Sequence, residues 1–327
     1  MSVLVTGGAG YIGSATVAAL VRRGQPVVVY DNLSKGHRRA VPAEVPFIQA
    51  DLADSARLRQ TLREFNVSQV IHFAAFTSVP ESVERPDLYF QNNTVNTLAL
   101  LDAMRDAGAD QIVFSSTASV YGEPRTEILE ETHPKQPANP YGLSKRFVER
   151  ILETYDAAFG LRHVALRYFN ACGGAPDRGE DHDPETHLVP IALQVALGQR
   201  PHIQVFGADY PTGDGTCVRD YIHVDDLAEA HLLALDHLER GGASEQINLG
   251  NGRGYSVRQV IDVARAVTRH PIPEQAAPRR AGDPSRLVAS SRKAHDILGW
   301  RPRHVNLDDI VASAWEWHRR HPRGYED

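Results

Sequence analysis

The stretch Val3–Gly13, VLVTGGAGYIG, decides the fold of this 327-residue chain. An apolar run ends in a turn that places Gly7, Gly10 and Gly13 at G-x-x-G-x-x-G spacing, and Tyr11 to Arg22 then reads as a helix. Glycine at these places permits a tight turn, close approach of a pyrophosphate to backbone N–H groups, and close packing of helix on strand; the helix N-terminus favours the anion. A lone glycine triplet also occurs in turns that bind nothing. The strand before it and the helix after it are what point to a dinucleotide.

Outward from that turn, short β-branched runs alternate with longer amphipathic ones over the first 170 residues, the pattern of βαβ units and a parallel sheet. Strands are read at Ser2 to Thr6, Pro26 to Tyr30, Phe47 to Gln49, Gln69 to Phe73, Gln111 to Ser115 and His163 to Arg167. Helices are read at Tyr11 to Arg22, Ser55 to Glu64, Asn92 to Ala107 and Tyr141 to Phe159. The fold class is α/β: a doubly wound parallel sheet of the Rossmann kind with a smaller mixed C-terminal substrate domain. The polar loop CGGAPDRGEDHDPETH after Asn170 joins domains or covers a site. The expected division is 1–172 for a dinucleotide, with later segments near 216–240 returning to it, and 173–327 for substrate.

Asp31 follows the second strand, about twenty residues beyond the glycines, where a carboxylate accepts hydrogen bonds from a ribose and repels a 2′-phosphate, favouring NAD over NADP. Lys35, His37, Arg38 and Arg39 follow closely and either soften that preference or form a solvated basic loop. Asp51 and Leu52 either lie beside adenine or simply begin a polar loop.

Composition excludes several function classes. Hydrophobic residues make up 42% and charged residues 23%, as in an ordinary globular protein. The net charge is −6 with dispersed basic residues, which argues against nucleic acid as a partner. No apolar stretch approaches the ~18 residues of a membrane helix, and no signal-like segment precedes VLVTGG. Two cysteines, Cys172 and Cys217, are too few for a disulfide framework, so a cytoplasmic location is expected.

Tyr141 and Lys145, in NPYGLSK, share one helical face, and a nearby ammonium favours the phenolate over the phenol, lowering a pKa that is ordinarily about 10. With eleven Tyr and four Lys, chance supplies such a pair in roughly one chain in eight, so its company decides. Thr117 supplies that company. It lies at the carboxyl end of the fifth strand, the edge where open α/β sheets bind ligands, and its hydroxyl can share a substrate hydroxyl with Tyr141.

Together with YDNLSKG, HFAA, ESV, QNNTVNTL, FSSTASVYG, RYFNACG, FGADYPTGDGTCVRDYIHVDDLA, NLGNG and RRAGD, these motifs resemble the extended short-chain dehydrogenase/reductase family over almost the whole chain, and within it the UDP-hexose 4-epimerase branch. The resemblance implies interconversion of UDP-glucose and UDP-galactose through a 4-keto sugar, with Tyr141 as base, Lys145 binding the nicotinamide ribose and Thr117 bonding the sugar hydroxyl. It implies NAD contacts from Gly7, Gly10, Tyr11, Ile12, Gly13, Asp31, Asn32, Leu33, Ser34, Lys35, Gly36, Asp51, Leu52, Phe73, Ala74, Ala75, Asn92 and Phe169. For the UDP-sugar it implies Asn170, His187, Leu188, Gln204, Val205, Phe206, Arg219, Arg280 and Asp283; guanidinium forks suit pyrophosphate oxygens. It also implies a homodimer, formed by pairing Asn92 to Ala107 and Tyr141 to Phe159 with their counterparts in a four-helix bundle.

Related dehydratases carry Asp and Glu where this chain has Ala118 and Ser119, and related decarboxylases carry a nearby Glu, so a 4-keto sugar here lacks an agent for elimination. Thr77, His187 and Leu287 depart from the best-known pattern. Leu287 bears on whether an N-acetyl group fits, which leaves another UDP-sugar open as substrate, and a non-catalytic NAD-binding regulator is the reading from another class. No metal is expected from GEDHDPETH, because it lacks a helical H-E-x-x-H pair. Trp300, Trp315 and Trp317 are expected to be packing residues.

Overall fold

A computed structural model describes residues 2–280 and 282–326; Ala281, inside RRAGD, lies outside them. The apolar runs form β1 (Ser2–Thr6), β2 (Val27–Asp31), β3 (Phe47–Gln49), β4 (Val67–His72), β5 (Gln111–Thr117) and β6 (Arg162–Tyr168), within two residues of the limits read from sequence. Further along come β7 (Asn170–Cys172), β8 (Ile203–Phe206), β9 (Val218–His223), β10 (Glu245–Leu249), β11 (Gly254–Ser256), β12 (Glu274–Ala277) and β13 (Arg286–Leu287).

Seven strands pair in the order β10-β6-β5-β4-β1-β2-β3, all parallel. Strand alternation gives the sheet two apolar faces. Val3 and Val5 of β1 pack with Val29 and with Leu227 and Leu235 of the helix Val224–Glu239, whereas Leu4 packs with Val28, Leu58, Leu100 and Val148 on the other side. The order reverses between β1 and β4, and that switch point opens a crevice at the carboxyl edge.

Two features of the sheet were not read from the sequence. β10 joins β6 in parallel only after the chain has left the sheet for the segment between Tyr168 and Glu245. The expected helix from Asn92 starts earlier: Pro86–Tyr89 is helical, Phe90–Val95 is a π-helical turn, and Asn96–Ala107 continues as α-helix. π-Turns insert one extra residue per turn and gather at functional sites.

The second layer is built from β11-β9-β13, with β7 also on β9, and from the pair β12-β8. The helices Leu188–Ala196, Val257–Thr268 and Leu307–Arg320 close its core around Leu193, Ile261 and Ile310. Trp300 and Trp317 are buried, and Cys172 and Cys217 are buried free thiols. Among the described residues no helix is long and apolar enough to cross a membrane.

The helix Pro140–Phe159 carries the clearest local signals. Asn139 accepts from the Gly142 N–H at 2.8 Å, Pro140 opens the helix, and Gly160 closes it at φ 71°. Its inward face continues from Tyr141 and Lys145 to Glu149, which is fully buried and held bidentately by Arg167 of β6 (2.7 and 2.8 Å). Ser116 of β5 donates to the same carboxylate at 2.7 Å, and Arg167 reaches Gln246 of β10 at 2.6 Å. Burial pushes the Glu149 carboxyl up, but the hydrogen bonds and charge of Arg167 outweigh it and hold the group below its usual range.

Without Arg167 the buried Glu149 carboxylate keeps only Arg146, partly exposed at 2.9 Å, and Ser116. Arg167→Met is expected to cost about 3–5 kcal/mol in urea denaturation, and adding Glu149→Leu to recover much of it. A loss under about 1 kcal/mol for the single variant contradicts this account of the pair.

Candidate active site

The residues that follow β1, β2, β4, β5 and β6 border one cavity of about 950 Å³ between the sheet's carboxyl edge and the second layer. Of the site residues read from sequence, all border it except Leu33, Lys145 and Val205. Val205 alternates inward along β8 and packs in the second layer's core, leaving Gln204 and Phe206 to face the cavity. Leu33 adopts φ 59° and packs on the apolar cluster behind the glycine turn. Phe76, Ser78, Glu81, Ser119 and Asn139 also border the cavity and were missed.

At the glycine turn the close approaches are measurable. Gly7 sits at φ 70°, where an added Cβ would lie 2.5 Å from the Ala74 nitrogen after β4, and a Cβ on Gly13 would lie 2.1 Å from the Gly7 carbonyl. The helix Tyr11–Arg22 has neither a side-chain cap nor an acidic residue in its first turn, which leaves its N-terminal N–H groups for an anion. Asp31 accepts from Ala9 N–H (2.9 Å) and Leu33 N–H (2.8 Å). Burial raises its carboxyl above the usual range, partly offset by those two bonds. Asn32 donates to Asp51 at 2.7 Å, so the two polar positions beyond β2 and β3 form one wall.

The basic residues after Asp31 point elsewhere. Lys35 donates to the Asp183 carbonyl (2.7 Å), and His37 bonds the Asp181 carbonyl (2.9 Å) while stacking on Tyr325. They thereby fasten the loop Gly173–His187 across the cavity. Tyr11 ties its near end, donating to the Gly173 carbonyl at 2.6 Å, and Tyr325 near the C-terminus bonds Asp181 and Gly179. A dinucleotide fits this arrangement: an uncapped helix end for pyrophosphate, a buried carboxylate for ribose hydroxyls, and Lys35 and His37 engaged with the loop.

The acid/base group lies at the end of β5. Tyr141 and Thr117 border the cavity together, and the Lys145 amine donates to the Ser115 carbonyl at 2.9 Å, 4.9 Å from the Phe114 ring centre. Tyr89, next to the π-turn, packs edge-on to Tyr141 at 6.4 Å. Burial pushes the Tyr141 phenol up to about 12 and the Lys145 ammonium down to about 7. The sequence reading expected the phenol to be lowered. Burial opposes an isolated charge on either group. His72, bonded to Thr6 and Thr97, is pushed down to about 3 by burial and by the Lys145 charge, and stays neutral beside them.

Across the cavity, Arg219 pairs with Asp283 and donates to the Val218 carbonyl at 2.9 Å, and Arg280 lies 3.9 Å from the centre of the Phe206 ring. Leu287 of β13 lies in register with Arg219 and packs with Phe169 on the cluster of Val120, Tyr121 and Leu129. Ala118 and Ser119, immediately after Thr117, border the same space without a carboxyl. In the covering loop, Glu180, His182, Glu185 and His187 converge, a grouping the absence of a helical His pair had argued against.

Residues 3–250 match the model of the NAD dependent epimerase/dehydratase family. The chain is 52% identical to a UDP-glucose 4-epimerase of Lacticaseibacillus casei, covering 100% of this chain and 99% of that one. A crystal structure of a UDP-glucose 4-epimerase superimposes with a TM-score of 0.97 at 50% identity over 100% of both chains. A Bifidobacterium longum UDP-glucose 4-epimerase in complex with NAD+ and UDP does so with a TM-score of 0.95 at 39% identity, covering 99% of this chain and 100% of that one. A glycine turn at a sheet switch point, a buried Tyr–Lys–Thr group and a facing pair of arginines thus occur in a chain that belongs to the NAD dependent epimerase/dehydratase family.

Proposed function

We propose that this chain is a UDP-glucose 4-epimerase, interconverting UDP-glucose and UDP-galactose through a 4-keto sugar with NAD held throughout. The observation that carries this reading is one cavity bordered by the dinucleotide cradle, by Thr117 and Tyr141, and by Arg219 and Arg280. Relatives of the same length bear that name, and one of them was solved with NAD+ and UDP.

When bound, NAD supplies a reversible hydride acceptor for C4 of the hexose. Tyr141 takes the C4 hydroxyl proton, with Thr117 bonded to the same oxygen. Lys145, already low in proton affinity, shares charge with the phenolate and turns toward the nicotinamide ribose. Arg219 and Arg280 anchor the pyrophosphate, so the keto sugar can rotate about its diphosphate link and take back hydride and proton on its other face. Ala118 and Ser119 offer no carboxyl for elimination, which keeps the chemistry at C4. Asp31 opposes a 2′-phosphate and favours NAD over NADP. Residues 1–172, with the segments near 216–240, hold NAD in this reading, and 173–327 hold the UDP-sugar. The chain is placed in the cytoplasm as a homodimer paired through the helices Asn96–Ala107 and Pro140–Phe159, in keeping with exposed Phe147 and Phe159.

The direct test is conversion of UDP-galactose to UDP-glucose by purified protein with no added reductant. No turnover of either sugar, with NAD bound, would sink the reading. A panel that adds N-acetylhexosamine, pentose and uronate forms, ranked by kcat/KM, decides the preferred sugar, with Leu287 the residue to vary.

Tyr141→Phe is expected to lower kcat by about 10²–10⁴-fold while NAD content, read by absorbance after denaturation, is unchanged. Retained activity refutes the assigned base. Arg219→Met is expected to weaken UDP binding in calorimetry by at least about tenfold, the loss of one charge-assisted pair, again with NAD retained. Equal affinity for UDP removes Arg219 from the anchor.

Lys145 binds its proton less firmly folded than unfolded, so between pH 7 and about 10 the unfolded chain carries the extra proton and stability rises with pH. In the NAD-free chain, Lys145→Met is expected to remove up to about 1.4 kcal/mol per pH unit of that slope. Parallel stability curves for the two proteins over this range contradict the lowered ammonium.

A further inference from the structure

We propose that Glu180, His182, Glu185 and His187 form a divalent-metal site of the zinc class in the loop that covers the cavity. One ligand atom from each residue lies within 4.8 Å of all the others. Both imidazoles aim Nδ1 at the carboxylates: His187 stands 2.8 Å from Glu180 Oε1 and 2.9 Å from Glu185 Oε1, and His182 stands 3.2 Å from Glu180 Oε1 and 4.0 Å from Glu185 Oε2. Four ligands around zinc, at bond lengths of about 2.0–2.2 Å, have edges of about 3.4 Å, within the spread of these separations. Two nitrogens and two oxygens in a near-tetrahedral set favour zinc over magnesium or calcium, which prefer six or more oxygens.

Charge makes the same case. Glu180 and Glu185 are buried, with side chains 5% and 3% exposed, so a divalent ion between them neutralises two carboxylates held away from water. Without an ion, Nδ1–H groups on rings 5.1 Å apart can donate to these carboxylates; with one, each ring carries its proton on Nε2 and turns the Nδ1 lone pair to the metal. The Glu185 carboxylate is pre-positioned, since it already accepts from the N–H groups of Thr186 and His187, each at 2.7 Å. With Nδ1 committed, His187 keeps Nε2 for the cavity it borders.

Such an ion cross-links a stretch otherwise held by bonds to Tyr11, Lys35, His37 and Tyr325, and it fixes the entry to the helix Leu188–Ala196. The site goes beyond the epimerase reading and stands or falls separately, because its test reads metal rather than turnover.

Protein with its NAD retained is dialysed against EDTA, given one equivalent of Zn²⁺ alone, desalted, and assayed for metal by mass spectrometry and for Tm. About one zinc per chain and a Tm raised by several degrees are expected for the parent protein and for His270→Ala as a control. His182→Ala and Glu185→Gln are expected to lower retention at least about tenfold, the usual cost of losing a ligand, with no zinc-dependent rise in Tm. A His182→Ala Tm equal to the parent's in EDTA assigns the loss to the metal rather than to folding. Parent protein that retains no zinc, or variants that retain as much as the parent, overturn the site.

Discussion

The hydrogen bond from the Lys145 amine to the Ser115 carbonyl is the contact on which the rest of the site depends. It joins the first turns of the helix Pro140–Phe159 to the last residues of β5, and so sets Tyr141 against Thr117 at the sheet's carboxyl edge. One turn below, Glu149 makes the same junction with charge, clasping Arg167 of β6 and Ser116 of β5. Tyr141, Lys145 and Glu149 lie four residues apart on one face; Tyr141 borders the cavity, and the other two hold it to the sheet.

Burial makes that face work as a unit. A phenol pushed up and an ammonium pushed down by the same desolvation are both disfavoured as lone ions. An ionised phenol in that place therefore needs a compensating charge close by. The π-turn at Phe90–Val95 belongs to the same packing: Tyr89 lies edge-on to Tyr141, and Asn93 clasps both backbone groups of Phe76 and the hydroxyl of Ser144.

What could be read from the sequence was local. The glycine turn, Asp31 after β2, the Thr117 strand end and the Tyr141–Lys145 pair each announce themselves within a few residues, because turn geometry and helical spacing are short-range. The partners that depend on distant segments could not be read. β10 reaches β6 only after a long excursion, Tyr325 latches a loop far earlier in the chain, and Arg167 looks like an ordinary strand residue until the fold places it over Glu149. Glu149 itself carried a usable signal, four residues beyond Lys145. The convergence of Glu180, His182, Glu185 and His187 could not be read either, because a loop brings side chains together without helical spacing. The direction of the Tyr141 shift was misread because burial, invisible in sequence, dominates, with only the Thr117 side chain opposing it.

The central claim is that oxidation and reduction at C4 occur in one cavity, with NAD never leaving. UDP-galactose carrying deuterium at C4 tests it most directly. The account predicts that deuterium is recovered at C4 of the UDP-glucose formed, with none lost to water and no net NADH released. Washout of the label into solvent, or product formed only when fresh NAD is supplied, would contradict it.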